Sequence, residues 1–156
     1  MAVQLLLTRD DIEPDPESLY SPTPLTVAAE NGHEAVVRLL LDQHDVNPDA
    51  KDDRGQTPLW YVARKGHESV RFLLEQNGVD PNGTDDQVNG RTPLMVASWN
   101  GHEKVVQVLL GKNNANPNIP DKRGEAPLWC AAWLGHAAVV KLLLKRDGIN
   151  ADPKNE

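Results

Sequence analysis

An eleven-residue pattern occurs four times along this chain, and this repetition constrains the fold more than any other feature. The pattern begins at Thr23, Thr57, Thr92 and Ala126, so successive copies lie 34, 35 and 34 residues apart. Each copy opens with Thr-Pro-Leu or Ala-Pro-Leu and closes with Gly-His, and an aliphatic stretch at helical spacing follows, as in residues 36–41. A period of this length predicts a repeat protein in which each unit packs against its neighbours.

The residues of each copy are those that begin and end short helices. A Thr hydroxyl caps the free N–H groups of a first turn. Ala126 has no such hydroxyl, and the missing cap lowers the stability by about 1 kcal/mol. Pro at the first helical position has no N–H to lose. Gly before His closes a tight turn, and the Asp-, Asn-, Pro- and Gly-rich segments between copies, such as 45–55, favour turns. The sequence therefore predicts four antiparallel helix pairs, of the type 24–31 with 34–43.

The motif Thr-Pro-Leu-x-x-Ala-Ala, the Gly-His turn and the period near 33 resemble the ankyrin repeat over nearly the whole chain. Pro after Asn in the loops, as at Pro48, and Trp after the motif Leu, as at Trp60, are similar to the ankyrin arrays of filamentous fungi. The resemblance implies an all-α solenoid of stacked helix-turn-helix hairpins with short turn or β-finger loops, in a single domain over 1–156. The expected units are a leading half-repeat with its loop at 1–22, repeats at 23–56, 57–91 and 92–125, and a last repeat with a truncated loop at 126–156.

The second repeat departs from the others in two places. Gly66 to Leu74 spans eight residues where Gly32 to Leu41 spans nine, so one helical residue is lost. The loop that follows is longer, and we place its extra length at 85–89, in a protruding turn.

The two ends of the chain differ from the polar caps that a repeat array normally carries. Residues 2–7 resemble a second helix without its first, and Leu144 is followed by the beginning of another inter-repeat loop. The chain is therefore expected to be either a fragment of a longer array or a degenerate stand-alone copy.

Composition disfavours several classes of partner. Sixteen basic and 23 acidic residues give a formal charge of −7, and no stretch combines Lys and Arg with aromatics, which disfavours nucleic acid. The single cysteine allows no intrachain disulfide and favours a reducing compartment. No segment has the length or flanks of a signal peptide or a membrane span. We expect no membrane association and a cytoplasmic location, with the nucleus as the alternative.

The residues that could carry chemistry are isolated from one another. The histidines are whole repeats apart and cannot converge to the distance of about 2 Å that zinc requires. We predict that each histidine lies at the start of a second helix and forms a hydrogen bond across its own turn. The histidines in question are His33, His67, His102 and His136.

Cys130 lies inside a first helix and is expected to pack as a small hydrophobe. The sequence thus predicts no metal, no cofactor, no catalytic residue and no enzymatic activity.

A helical wheel separates the core from a concave groove. With about 100° per residue, Leu25, Ala28 and Ala29 face the core, whereas Val27 and Glu30 face the groove. The positions equivalent to Glu30 are Arg64, Trp99 and Trp133, and those equivalent to Val27 are Tyr61, Val96 and Cys130.

The four tryptophans fall into two classes on this wheel. Trp60 and Trp129 lie on the flank that faces a neighbouring repeat and are assigned to packing. Trp99 and Trp133 are candidates for binding, although they could also stack on each other to cover alanines. The complete predicted partner-binding set is Glu30, Tyr61, Arg64, Asp86, Gln87, Asn89, Trp99 and Trp133.

These patterns favour a non-catalytic protein–protein interaction module, by analogy with the family the chain resembles. Its concave groove and turn tips would bind a partner protein, with the module forming part of a larger signalling or scaffold protein. The alternative is an assembly segment that associates with other copies through its uncapped terminal repeats.

Overall fold

The computed structural model describes residues 22–111 and 115–151, which form four consecutive helical hairpins. Those residues contain no strand, and none of their helices is long and apolar enough to cross a membrane. The predicted all-α stack of helical hairpins is confirmed, whereas the leading half-repeat predicted at 1–22 lies outside the described residues except for Pro22. The helices are α1 Pro24–Glu30, α2 Glu34–Leu41, α3 Pro58–Lys65, α4 Val70–Leu74, α5 Pro93–Trp99, α6 Glu103–Gly111, α7 Pro127–Trp133 and α8 Ala137–Leu144.

Threonine caps begin the first three hairpins. The hydroxyl oxygens of Thr23, Thr57 and Thr92 each accept a hydrogen bond, at 3.2 Å, from the backbone N–H three residues later. Ala126 has the same extended backbone, with φ −96° and ψ 163°, but makes no side-chain cap. The predicted absence of a cap at the fourth hairpin is therefore confirmed.

The hairpins stack so that first helices pack on first helices and second helices on second helices. One continuous aliphatic cluster runs through all four, because the same two positions of every hairpin are buried. These are Leu25, Leu59, Leu94 and Leu128 from the first helices, and Leu40, Leu73, Leu109 and Leu143 from the second helices.

Helices α2 and α4 are shorter than predicted. Helix α2 ends at Leu41 rather than at residue 43, because the last turn tightens and Gln43 N donates to Leu40 O. Helix α4 begins only at Val70, after a first turn closed by bonds between residues three apart. The one-residue deletion of the second repeat therefore falls in the first turn of this helix. Val70 and Leu73 still occupy the buried positions.

Histidine side chains link consecutive hairpins, which corrects the predicted bond across their own turns. Each imidazole Nε2 donates to a main-chain carbonyl of the preceding hairpin, and the turn glycine of that hairpin, which has no Cβ, leaves room for the ring. The pairs are His67 with Glu30 O at 3.0 Å, His102 with Arg64 O at 2.9 Å, and His136 with Trp99 O at 3.0 Å.

Candidate partner-binding groove

Three loops, which we call fingers, lead into the second, third and fourth hairpins. Finger 1 is residues 52–56, finger 2 is 85–91 and finger 3 is 121–125. Each is closed by a backbone hydrogen bond between its first and last residues, at 3.1, 3.2 and 2.9 Å respectively. Finger 2 therefore contains two more residues than the others, where the sequence places the extra length, and residues 86–88 at its tip are exposed.

An aspartate at the start of each finger holds the loop in shape. Asp52 Oδ1 accepts from the backbone N–H groups of Arg54 and Gln56 at 2.9 and 2.8 Å. In finger 2 the carboxylate of Asp85 accepts from Arg91 N. Burial raises the pKa of the Asp85 carboxyl above its usual range, while hydrogen bonds from the backbone lower it in part. These hydrogen bonds stabilise the fingers.

Two lysines hold the tip of finger 2, Lys51 immediately before finger 1 and Lys122 in finger 3. Lys51 Nζ lies 3.6 Å from Asp86 Oδ2, and Lys122 Nζ donates to the carbonyls of Asp86 and Val88. The tip is therefore a positioned surface loop, on which Gln87 is exposed.

A cavity of about 290 Å³ lies between finger 2 and helices α3 and α5. It brings together three of the predicted partner-binding residues, Arg64, Asn89 and Trp99. The other residues that line it are Gln56, Trp60, Asp85, Val88, Arg91, Val96 and Asn100.

The first predicted pair of groove residues forms an ion pair. Arg64 Nη2 lies 2.6 Å from Glu30 Oε1, and its guanidinium carbon lies 5.3 Å from the Trp60 ring and 5.1 Å from the Tyr61 ring. The cation is therefore held between a carboxylate of the first hairpin and aromatic faces of the second.

Arg91 is a site residue that the sequence reasoning missed. Its guanidinium carbon lies 4.6 Å from the centre of the Trp99 ring, and its Nε lies 3.4 Å from Asp121 Oδ2 of finger 3. A signal was available: Arg91 immediately precedes the motif, where Gln56 and Glu125 stand at the equivalent places.

Trp133 lies away from this cavity. Its side chain is 71% exposed, and its ring stacks on Trp129 of the same helix at 5.3 Å with an interplanar angle of 8°. The alternative that Trp99 and Trp133 stack on each other is therefore wrong. The packing assignment is confirmed for Trp60, which is buried and donates from Nε1 to Arg91 O at 3.2 Å, but Trp129 is only partly buried.

Three side chains predicted to face the groove are instead buried. Tyr61, Val96 and Cys130 are buried, and only Val27 is exposed at this position. Tyr61 Oη donates to Asp52 Oδ2 at 2.8 Å, and burial, together with this bond, raises the tyrosine pKa to about 12. A helical wheel gives the direction of a side chain but does not show the loop that covers it.

Neither cysteine chemistry nor metal binding is supported by the geometry. Burial raises the pKa of the Cys130 thiol to about 12, so the reactive thiolate is disfavoured. Within residues 22–111 and 115–151, no three His, Cys, Asp or Glu side chains are placed to hold a metal ion.

Comparison with known proteins identifies one family. A family model described as "Ankyrin repeats (3 copies)" matches residues 1–85 and 77–155. A search of the curated proteins found no significant match.

Proposed function

The chain belongs to the ankyrin-repeat family, and on that premise we propose that it binds a partner protein at the cavity beside finger 2. Ankyrin repeats are generally protein–protein interaction modules, and the family is typically non-catalytic. The observation that carries the proposal is the convergence of the enlarged finger, Arg64 and Trp99 on one cavity. We further propose that the chain acts in the cytoplasm or nucleus, as the interaction segment of a signalling or scaffold protein.

The cavity is large enough for one side chain of a protein partner. Its volume of about 290 Å³ is close to the lower end of the range of about 300–1,000 Å³ for sites that enclose drug-sized ligands. A single side chain from a protein surface needs less room and would be flanked by further contacts along the groove. The acidic balance of −7 also supports a protein rather than a nucleic acid.

The walls of the cavity favour an apolar side chain of the partner. Trp60, Trp99 and Val88 supply aromatic and aliphatic surface, while the guanidinium groups of Arg64 and Arg91 are already paired with carboxylates. The amide of Asn89 lies at the lining and can pair with the backbone of a bound segment. Aromatic anchors at the centre of an interface tend to dominate its energy, often at about 2 kcal/mol or more on truncation.

Truncation of Trp99 tests the cavity. A partner is first captured from an extract of the native organism, and its affinity for the wild type is compared with that for Trp99→Ala. We expect the affinity to fall by at least about thirtyfold, equivalent to about 2 kcal/mol. Phe72→Ala is the matched control, because Phe72 is a partly buried aromatic residue of α4 that does not line the cavity.

The tip of finger 2 offers a second, independent pair of variants. Val88 is 42% exposed at the tip, and Val27 is 45% exposed on α1 outside the cavity. Val88→Ser should weaken partner binding, whereas Val27→Ser should not, and neither should lower the melting temperature appreciably. Equal effects of the two substitutions on affinity would contradict a site beside finger 2.

Arg64 and Trp133 lie along the same stack and extend the proposed site. Arg64→Glu places a like charge beside Glu30 and should chiefly change the salt dependence of binding. Trp133→Ala should weaken binding more than it weakens folding, since most of that side chain is exposed. If the Trp133 or Trp99 variant unfolds early while affinity is intact, that ring is a packing residue.

A further inference from the structure

Each internal joint of the stack is built in the same way. The histidine of one hairpin donates to a carbonyl of the preceding hairpin and packs against its turn glycine. A Cβ added at Gly32, Gly66 or Gly101 would lie only 2.6–2.7 Å from an imidazole atom, so the ring fills the space that glycine leaves. This repeated contact defines a socket, made of a turn glycine and the carbonyl two residues before it, that accepts a histidine.

The fourth hairpin, the last one in the described part of the chain, carries the same socket. Its glycine is Gly135, its carbonyl is that of Trp133, and among the described residues no atom lies within 4 Å of a Cβ built on Gly135. The surrounding surface is open too. Leu144 is 52% exposed, whereas the equivalent Leu74 and Leu110 are 8% and 5% exposed.

Ala132 shows the largest difference in exposure from its equivalents in the other hairpins. It is exposed, while Ala29, Ala63 and Ser98 at the equivalent position of the other hairpins are fully buried. We call this face of α7 and α8, with Gly135, the tail. The equivalent surfaces of the first three hairpins are each covered by the next hairpin and its histidine. The tail therefore has the shape of a surface that accepts such a hairpin.

The first hairpin presents the complementary feature. His33 is exposed, whereas His67, His102 and His136 are each partly buried and bonded to a carbonyl. Val36 of α2 is only partly buried, while its equivalents in α6 and α8 are fully buried at their joints. We call this face of α1 and α2, with His33, the head.

The charges of the two ends are opposite. Residues 22–56 carry seven acidic and three basic side chains, a balance of −4, and residues 126–151 carry one acidic and three basic, a balance of +2. A head and a tail therefore attract each other and are steered together. Residues 1–21 carry five acidic and one basic side chain, so their net charge has the same sign as that of the head.

We propose that the tail docks the head of a second copy of this chain, with His33 of one copy donating to Trp133 O of the other beside Gly135. Such a contact joins two different surfaces, so it leaves a free head and a free tail and can continue into longer stacks. The inference does not depend on the cavity beside finger 2, which lies on the second and third hairpins.

Sedimentation across a range from micromolar to millimolar chain concentration tests the proposal. We expect the average mass of the wild type to rise with concentration, and the association to weaken as salt is added. Ala132→Glu places a charge in the tail and His33→Lys replaces the donor ring with a cation facing the basic tail. Each should weaken self-association by at least about tenfold.

A mixture of the two variants makes the test specific. The Ala132→Glu chain keeps an intact head and the His33→Lys chain keeps an intact tail, so together they should form a one-to-one complex that neither forms alone. Ala137→Gln is the control, because a long polar side chain stands at the equivalent positions Glu34, Glu68 and Glu103 and glutamine leaves the charge of the tail unchanged. It should leave the association unchanged.

Three results would overturn the proposal. The wild type could remain monomeric at every concentration. Association could survive Ala132→Glu, which would place the contact elsewhere. The mixed variants could fail to combine, which would exclude a contact between a head and a tail.

Discussion

Ala126→Thr should stabilise the protein by supplying the helix cap that the fourth hairpin lacks. The backbone at Ala126 already has the conformation of its capped equivalents, with φ −96° and ψ 163° against −96° and 165° at Thr57. A threonine hydroxyl would therefore lie in position to accept from Trp129 N, as Thr57 accepts from Trp60 N at 3.2 Å.

The expected gain is set by the caps of the other hairpins. Replacing a capping Thr by Ala costs about 0.5–2 kcal/mol, typically about 1 kcal/mol, because it leaves a helical N–H without a partner. Thr92→Ala removes such a cap, at 3.2 Å from Met95 N, and should cost an amount in the same range. The two substitutions are thus opposite changes at equivalent positions.

Urea unfolding at 25 °C, together with hydrogen exchange at the Cys130 amide, which donates to Ala126 O at 3.1 Å, measures both effects. A gain of about 1 kcal/mol in the fourth hairpin should slow exchange at that amide by about fivefold. The reasoning would be refuted if Thr92→Ala destabilises as expected while Ala126→Thr leaves the stability and this exchange rate unchanged. The equivalence of the four helix starts would then be wrong.

Three further predictions concern buried groups. Leu109→Ala should cost about 2–5 kcal/mol in urea unfolding because the side chain is fully buried between hairpins, whereas Leu144→Ala should cost about half as much or less. Tyr61 should ionise near pH 12, above the value of about 10 in an unfolded chain. The stability this shift contributes is therefore present below pH 10 and lost as the pH rises through 12, and tyrosinate absorbance should show earlier ionisation in Asp52→Asn. Cys130 should react with a thiol reagent at neutral pH only as fast as the fourth hairpin opens, and a fast native reaction would contradict its burial.

The helices and their order follow from the sequence because local rules determine them. Thr-Pro marks each helix start and Gly-His marks each turn, and these signals act within a few residues of the chain. The length of finger 2 was predictable for the same reason, since an insertion between two fixed motifs must extend the loop. The buried leucines follow from helical periodicity alone.

The surroundings of the candidate site depend on contacts between hairpins, which no local rule specifies. Tyr61 was predicted to face the groove, but finger 1 folds back so that Asp52 covers it. Arg91 was missed because its role requires the Trp99 ring of the next helix and a carboxylate of finger 3. The histidines were expected to bond within their own hairpins, yet their acceptors are one repeat away, as His102 shows.

Amide and indole chemical shifts of the labelled protein, recorded with and without its captured partner, test binding at the cavity most directly. The chain has four tryptophans, so each indole N–H can be assigned. We predict that the Trp99 indole and the backbone amides of Val88 and Asn89 shift on binding, while the amides of Phe72 and Val108 on the second helices do not. Shifts confined to the second helices, with finger 2 unchanged, would contradict the proposed site.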